Sequence, residues 1–301
     1  MRPSVFGFNR RLRQLGGHTL TSFCRLDNLF SGQKSNFSNH DIFNCLDLES
    51  SELLFYIHYS KHEEFDKYDL KTIRTLNSLN VPLVLISNSV IPLEIAEIPL
   101  LKSKNYGRDL GAMRDVLTYL FELEYSGKVI FLNNSMFWGP ENDLKVFIHR
   151  ILSSLSPGTF IGPVESFQVR RHFQSFLVAL QIPKKQDSER NPLEYIRNWR
   201  AKRSLVRFGE LPMLERFQHA GYKSISIVTS ADVLSNLQYV GSSDSPHLKK
   251  LLEKNVDLNP TQHTWSVVNK LGIPGIKRSL VLSNPARIKN LPSIDMIAAW
   301  D

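Results

Sequence analysis

Hydrophobic patterning along this chain begins abruptly at Glu52. Leu53 to Tyr59 is an unbroken apolar and aromatic run, the mark of a strand covered on both faces. Residues 66 to 79 carry apolar groups at Leu70, Ile73, Leu76 and Leu79, which predicts a helix, and Pro82 to Ser87 is a second buried strand. A strand, helix, strand order implies a right-handed crossover and a parallel sheet. Ile98 to Leu101 leads into a turn and a helical pattern that runs to Phe121. Lys128 to Leu132 predicts a third strand, and 141 to 153 an amphipathic helix on Leu144, Phe147, Ile148, Ile151 and Leu152. Further on, strands are expected over Thr159–Val164, Arg170–Leu180 and Ser224–Val228. Helices are expected over Leu193–Val206, Leu211–His219 (closed by Gly221) and from Asn259-Pro260 to Leu271. Gly272 to Arg278 reads as a turn carrying two cations. The fold class is therefore α/β with a mostly parallel central sheet. Residues 1–50 read as an extension with a flexible link at Ser31–Asn36, 51–290 as the folded domain and 291–301 as a tail.

Composition adds bounds. The 301 residues are 42% hydrophobic and 22% charged, ordinary for a globular protein that can bury a core. The net charge of +8 favours anionic partners, though it equally describes a merely basic surface. The cations do not gather into a stripe with interleaved aromatics, so nucleic acid is not an expected partner. Cys24 and Cys45 make neither a disulfide framework nor a metal site, and fit a reducing compartment. No apolar run approaches the ~18 residues that would span a bilayer. The first 25 residues hold five arginines and no acid, without the apolar stretch of a secretory signal. That reads as a basic arm near an anionic membrane surface or an unstructured start.

Chemistry concentrates where strands end. Lys104 to Asp115 joins a strand to a helix through Asn105-Tyr106-Gly107-Arg108-Asp109. Gly107 can adopt a positive φ, the helix start offers unpaired N–H groups, and Arg108 adds paired donors for phosphate oxygens. The spacing also suits an ordinary turn in which Asp109 caps the helix. His58, Tyr59, Ser87 and Asn88 stand at carboxyl ends of strands, where ligands of parallel sheets sit. Asn133-Asn134-Ser135 ends the third strand with three small polar groups, poor as core and suited to a metal shell, a ribose or a phosphate.

The chain resembles the rhamnan synthesis protein F family of glycosyltransferase-like proteins over about residues 52 to 290. The resemblance rests on His58-Tyr59, Asn105-x-Gly107-Arg108-Asp109-x-Gly111, Asn133-Asn134-Ser135 with Gly139-Pro140, and His172-x-Gln174-Ser175-Phe176. It continues in Glu210 before a helix ending Ala220-Gly221-Tyr222, and in Asn259-Pro260-Thr261, Trp265, Gly272-x-Pro274 and Lys277-Arg278. It implies a GT-A-like nucleotide-binding sandwich that transfers a sugar, such as rhamnose, from a nucleotide-sugar donor to a glycan or lipid-linked glycan acceptor. The product would be a bacterial surface polysaccharide or lipopolysaccharide, made in the cytoplasm at the inner face of the plasma membrane.

On that basis the base would pack near His58 and Tyr59, and Asn105, Gly107, Arg108 and Asp109 would hold ribose and diphosphate. Asn133, Asn134, Ser135, Lys277 and Arg278 would complete the donor site. His172, Gln174 and Ser175 would meet a sugar or the acceptor. Glu210 is the first candidate for the base that takes the acceptor proton and Glu165 the second. One departure stands out: where relatives carry an acidic residue for Mg or Mn, this chain has Asn134. Hard cations prefer charged oxygen ligands, so the departure weakens the case for metal dependence. It leaves a non-catalytic module that binds nucleotide sugar or glycan as the alternative.

Overall fold

The computed structural model describes residues 27–29, 31–38, 41–42, 45–184, 191–199, 201–237, 259–285, 288 and 291–300. The first strand β1 (Glu52–His58) pairs in parallel with β2 (Leu83–Ser87), and β2 with β3 (Leu100–Lys102). On its other side β1 pairs in parallel with β4 (Lys128–Asn133). A short β5 (Met136–Trp138) leaves this sheet to join β10 (Gly275–Lys277) in a separate antiparallel ribbon. Beyond β4 come β8 (Leu177–Gln181), antiparallel, then β6 (Thr159–Ser166), which also carries β7 (His172–Phe173) and, in parallel, β9 (Lys223–Val228). The sheet is thus mostly parallel, and the strand order β3-β2-β1-β4-β8-β6 puts one antiparallel strand inside it.

Side chains alternate across this sheet and each face is covered. Leu54 and Tyr56 of β1 belong to a core shared with α1 (Lys67–Asn77) and α3 (Glu141–Ser154). Leu53, Phe55 and Ile57 face a second core with α2 (Arg108–Glu122). Burial on both faces is why these strands read as continuous apolar runs rather than alternating ones. Asp66 caps α1 by accepting from the amides of Tyr68 and Asp69, and Glu141 and Asp143 lie in the first turn of α3, where acids complement the helix dipole.

Several expectations need correcting, among them the helix over 259–271, which breaks at Thr264, and the turn over 272–278, which contains β10. Residues 193–199 form turns rather than helix; helix starts at α4 (Lys202–Leu205) and runs through a π segment, Val206–Glu210, into α5 (Leu211–His219). The strand expected over 170–180 is two, β7 and β8, interrupted at 174–176. The link at 31–36 is anchored at its end: residues 32–35 are exposed, but Asn36 is 1% exposed, and Phe37 and Ile42 join the core on the α2 side. Further helices include α6 (Ser230–Ser235), α7 (Pro260–His263), α8 (Trp265–Lys270), α9 (Arg278–Ser283) and α10 (Ile294–Ala298). Among the described residues no helix is long and apolar enough to cross a membrane.

Candidate active site

Parallel pairing brings the ends of β1, β2 and β4 to one edge of the sheet. The register sets His58 opposite Ser87 and Ile57 opposite Asn133. The amide of Asn133 donates to the carbonyl of Phe176 (3.0 Å), so the start of the antiparallel β8 arrives at the same edge. Ribbon pairing of Lys277 with Met136 delivers a cation from far along the chain. Together these ends enclose a cleft of about 230 Å³.

The floor of the cleft is the turn before α2. Gly107 has φ +69°, as its position requires, and Asn105 and Arg108 are also left-handed at +58° and +56°. For Arg108 that backbone costs about 1–2 kcal/mol, strain held in place by the surroundings. Gly111 explains the second glycine of the motif: a Cβ there would stand 1.9 Å from the carbonyl oxygen of Tyr106. From behind, the Asn36 amide group clamps the turn. Its Oδ1 accepts from the Tyr106 amide (2.7 Å), and its Nδ2 donates to the Tyr106 carbonyl (2.9 Å) and to Asp115 (2.9 Å). Arg114, bonded to Asp115 and to the carbonyls of Lys34 and Ile196, completes the clamp.

Asp109 does not cap its helix by reaching back; Gly107 is the cap residue and makes no side-chain bond. Oδ2 of Asp109 instead accepts from Nδ2 of Asn133 (2.7 Å), which also donates to the Ser175 carbonyl (3.1 Å). Oδ1 of Asn133 accepts from the amide and hydroxyl of Ser135. Burial, and then the nearby Glu210 charge, raises the Asp109 carboxyl above the usual range.

Glu210 ends the π segment, and its side chain makes no cap bond. Its Oε1 accepts from both the amide and the hydroxyl of Ser175 at 3.1 Å. The carboxylate is thereby aimed into the cleft. A π turn widens the helix by one residue and re-aims what it carries, a device found often at functional sites. Lys277 lies opposite, its Nζ donating to Oε1 of Gln174 (2.5 Å). Burial lowers its pKa, with Lys202 adding to that and Glu210 and Asp109 opposing it. Arg108 and Lys202 also line the cleft. Lys202 did not stand out in the sequence, because its place depends on where α4 begins rather than on any local motif.

The other expected residues divide. His58, Tyr59, Asn105, Asn133, Asn134, Ser135 and Ser175 line the cleft. His58 is a buried wall: Nδ1 meets the Ser87 hydroxyl (2.9 Å), Nε2 meets Asp69 (3.3 Å), and Phe65 stacks on its ring. Tyr59, 42% exposed, stands at the mouth. Gln174 lies behind Lys277, and His172 lies behind Gln174, with Nε2 at 3.4 Å from the Gln174 amide nitrogen. Glu165 is outside the cleft, bonded to Arg171 (2.6 Å) and the Ser230 amide (3.1 Å). Arg278 points away as well, to Asp66 (2.6 Å) and Asp69 (2.7 Å) on α1, with Phe137 under its guanidinium. Burial alone would raise Asp69, but the hydrogen bond with His58 and the Arg278 charge outweigh it and hold its carboxyl below the usual range. Arg278 thus offsets the buried Asp69 and the exposed Asp66 and is not turned toward a ligand.

The donor set does not fit a divalent cation at Asn134. The Asn134 amide group is spent on the backbone of one residue, Oδ1 accepting from the Tyr59 amide (3.4 Å) and Nδ2 donating to the Tyr59 carbonyl (3.2 Å). A carboxylate could not make that second bond. Among the described residues no three His, Cys, Asp or Glu side chains gather into a metal site.

No family model matches the chain. It is 26% identical over 207 residues to the virulence protein VirA of Vibrio anguillarum, an alignment covering 62% of this chain and 62% of that protein. The chain therefore spans less than two thirds of the length of the curated relative it matches. Among solved structures it resembles the mannose-1-phosphate geranyltransferase from Thermus thermophilus, at TM-score 0.34 and 12% identity over 59% of this chain and 70% of that one. The bifunctional IspDF from Campylobacter jejuni comes next, at TM-score 0.31 and 12% identity over 59% of this chain and 49% of that one.

Proposed function

We propose that the cleft binds a nucleotide-linked sugar and that the chain transfers the sugar to an acceptor hydroxyl. The observation that carries this reading is the opposition of Arg108, Lys202 and Lys277 to the Ser175-held carboxylate of Glu210 in one cleft. Three cations suit a diphosphate, before and after it departs. Tyr59 at the mouth offers a face for the base, and the positive end of the α2 dipole lies beside the phosphates.

The step is a displacement at the anomeric carbon. The acceptor oxygen forms its bond to that carbon while the bond from carbon to diphosphate oxygen breaks. Glu210 takes the acceptor's proton, and the electron pair leaves with the nucleoside diphosphate, whose charge Arg108, Lys202 and Lys277 offset. No part of this step runs through a metal. The membership in rhamnan or lipopolysaccharide synthesis belongs to the same proposal and rests on the motif resemblance.

A second reading, a module that binds the nucleotide sugar without transfer, is favoured by the locking of Asn134 into the Tyr59 backbone. Turnover of a panel of sugar nucleotides, with and without manganese, separates the two. Hydrolysis or transfer that disappears in Glu210→Gln supports the enzyme. Binding without turnover under every condition supports the module and overturns the enzyme.

A further inference from the structure

A second and larger concavity, about 1050 Å³, opens beside the cleft and shares Lys202 and Val206 with it. Its volume lies just above the range of about 300–1,000 Å³ usual for small-molecule pockets. The inner surface is apolar and aromatic, from Tyr195, Val206, Phe208, Leu211 and Pro212. Tyr195 presents its ring because its hydroxyl is turned inward, donating to the Gly209 carbonyl (2.6 Å). The rim is cationic: Arg170, Lys202, Arg203, Arg207 and Arg216. Arg170 is offset by Glu215 at 3.3 Å, and Arg216 lies over the Tyr195 ring. Lys202 and Arg203 are exposed.

One detail of the rim is unusual. Val169 is 75% exposed, and its φ is +76°, a conformation that a β-branched residue rarely adopts. Its side chain adds an exposed apolar edge to the groove.

We infer that this groove holds the apolar chain of an anionic amphiphile, with its phosphate at Arg203, at the entrance to the cleft. The inference rests on the proposed transfer reaction and gives its acceptor a site: the lipid-linked glycan that the motif resemblance implies would lie here by its phosphate-bearing lipid. Three features fit one another in that ligand. The apolar floor takes the chain, the cationic rim takes the phosphate, and the shared wall at Lys202 and Val206 brings the glycan beyond the phosphate toward Glu210. A planar lipid surface would use the charge but leave the concave floor empty.

The test is equilibrium binding of decyl phosphate below its micellar concentration, beside inorganic phosphate, a decyl glycoside and vesicles of anionic phospholipid. Decyl phosphate should bind the wild-type protein at least about tenfold tighter than either the glycoside or inorganic phosphate, because chain and charge are both required. Arg203→Glu and Phe208→Ala should each weaken it by about tenfold or more while leaving nucleoside diphosphate affinity unchanged. Arg203 is exposed, so its variant reports even if the one at Phe208 does not fold. Equal binding of decyl phosphate and the glycoside, binding of inorganic phosphate alone, binding to vesicles without the monomeric ligand, or insensitivity to Arg203→Glu would each overturn the inference. Nucleoside diphosphate binding is measured separately on the same samples, so loss of the donor site and loss of the groove are distinguishable.

Discussion

Oε1 of Glu210 stands 3.1 Å from both the amide and the hydroxyl of Ser175, and this pair joins two parts of the fold that local patterning does not connect. Glu210 is on the π segment before α5, Ser175 on the break between β7 and β8. If the carboxylate takes the acceptor proton, Glu210→Gln keeps the shape and loses the base. The turnover number should fall about 10²–10⁴-fold, with nucleoside diphosphate affinity within about threefold of wild type. Ser175 acts through Glu210: Ser175→Ala should lower kcat and leave KM for the donor unchanged, and Ser175→Thr should restore most of the loss. A parallel rise in KM would show that Ser175 serves the donor directly.

Asn134 gives a prediction about stability. Asn134→Asp removes the Nδ2 donor and sets a negative oxygen against the Tyr59 carbonyl. The loss should be about 1 kcal/mol, or a melting point lower by about 2–4 °C. Manganese should not restore it, and thermal melts with and without the ion provide the check. A metal-dependent rise in melting point would mean that this position still accepts a cation.

Lys277 sets a pH dependence of known sign. Burial lowers its pKa from 10.5 in the folded chain. Between the lowered value and 10.5 the unfolded chain binds the extra proton, so stability rises with pH across that window. Donor affinity runs the other way, because the ammonium must be charged to hold a diphosphate. Affinity should fall as pH rises through the lowered value, earlier than for an exposed lysine. Titrations with a nucleoside diphosphate from pH 7 to 10.5 measure this, and Lys277→Arg, always charged, should flatten the fall.

Asn36 tests the clamp. Asn36→Ala removes the partner of both polar groups of Tyr106 and exposes part of the buried Asp115 pairing. The expected cost is about 2–3 kcal/mol, and the turn carrying Arg108 should loosen with it. Loss of stability without any loss of donor affinity would confine Asn36 to a folding role.

Much of the frame was legible because the central parallel strands β1, β2 and β4 are buried on both faces, and because Gly107 and Gly221 sit where only a positive φ fits. Patterning also collects strand ends at one edge, which brought His58, Tyr59, Asn133 and Asn134 to a common place. What it could not supply is partners. Periodicity says nothing of which carboxylate faces which cation, so from the sequence Arg278 stands level with Lys277, and Glu165 remains a second candidate behind Glu210. The structure separates them through Asp66, Asp69, Arg171 and Ser175. Nor could it see the clamp at Asn36, since a short polar stretch reads as a loop whether or not its amide is buried. The absence of helix over 193–199 has a similar origin: Leu193 and Ile196 are buried by the α2 core although the backbone between them only turns.

The central claim is that side-chain cations, Arg108 foremost, hold the donor diphosphate without a metal. The direct measurement is calorimetric titration of wild type and Arg108→Ala with a panel of nucleoside diphosphates, each with and without chelator. Wild-type affinity should survive the chelator, and Arg108→Ala should abolish binding while the melting point holds. Donor affinity retained in Arg108→Ala, or lost from wild type on chelation, would contradict the claim.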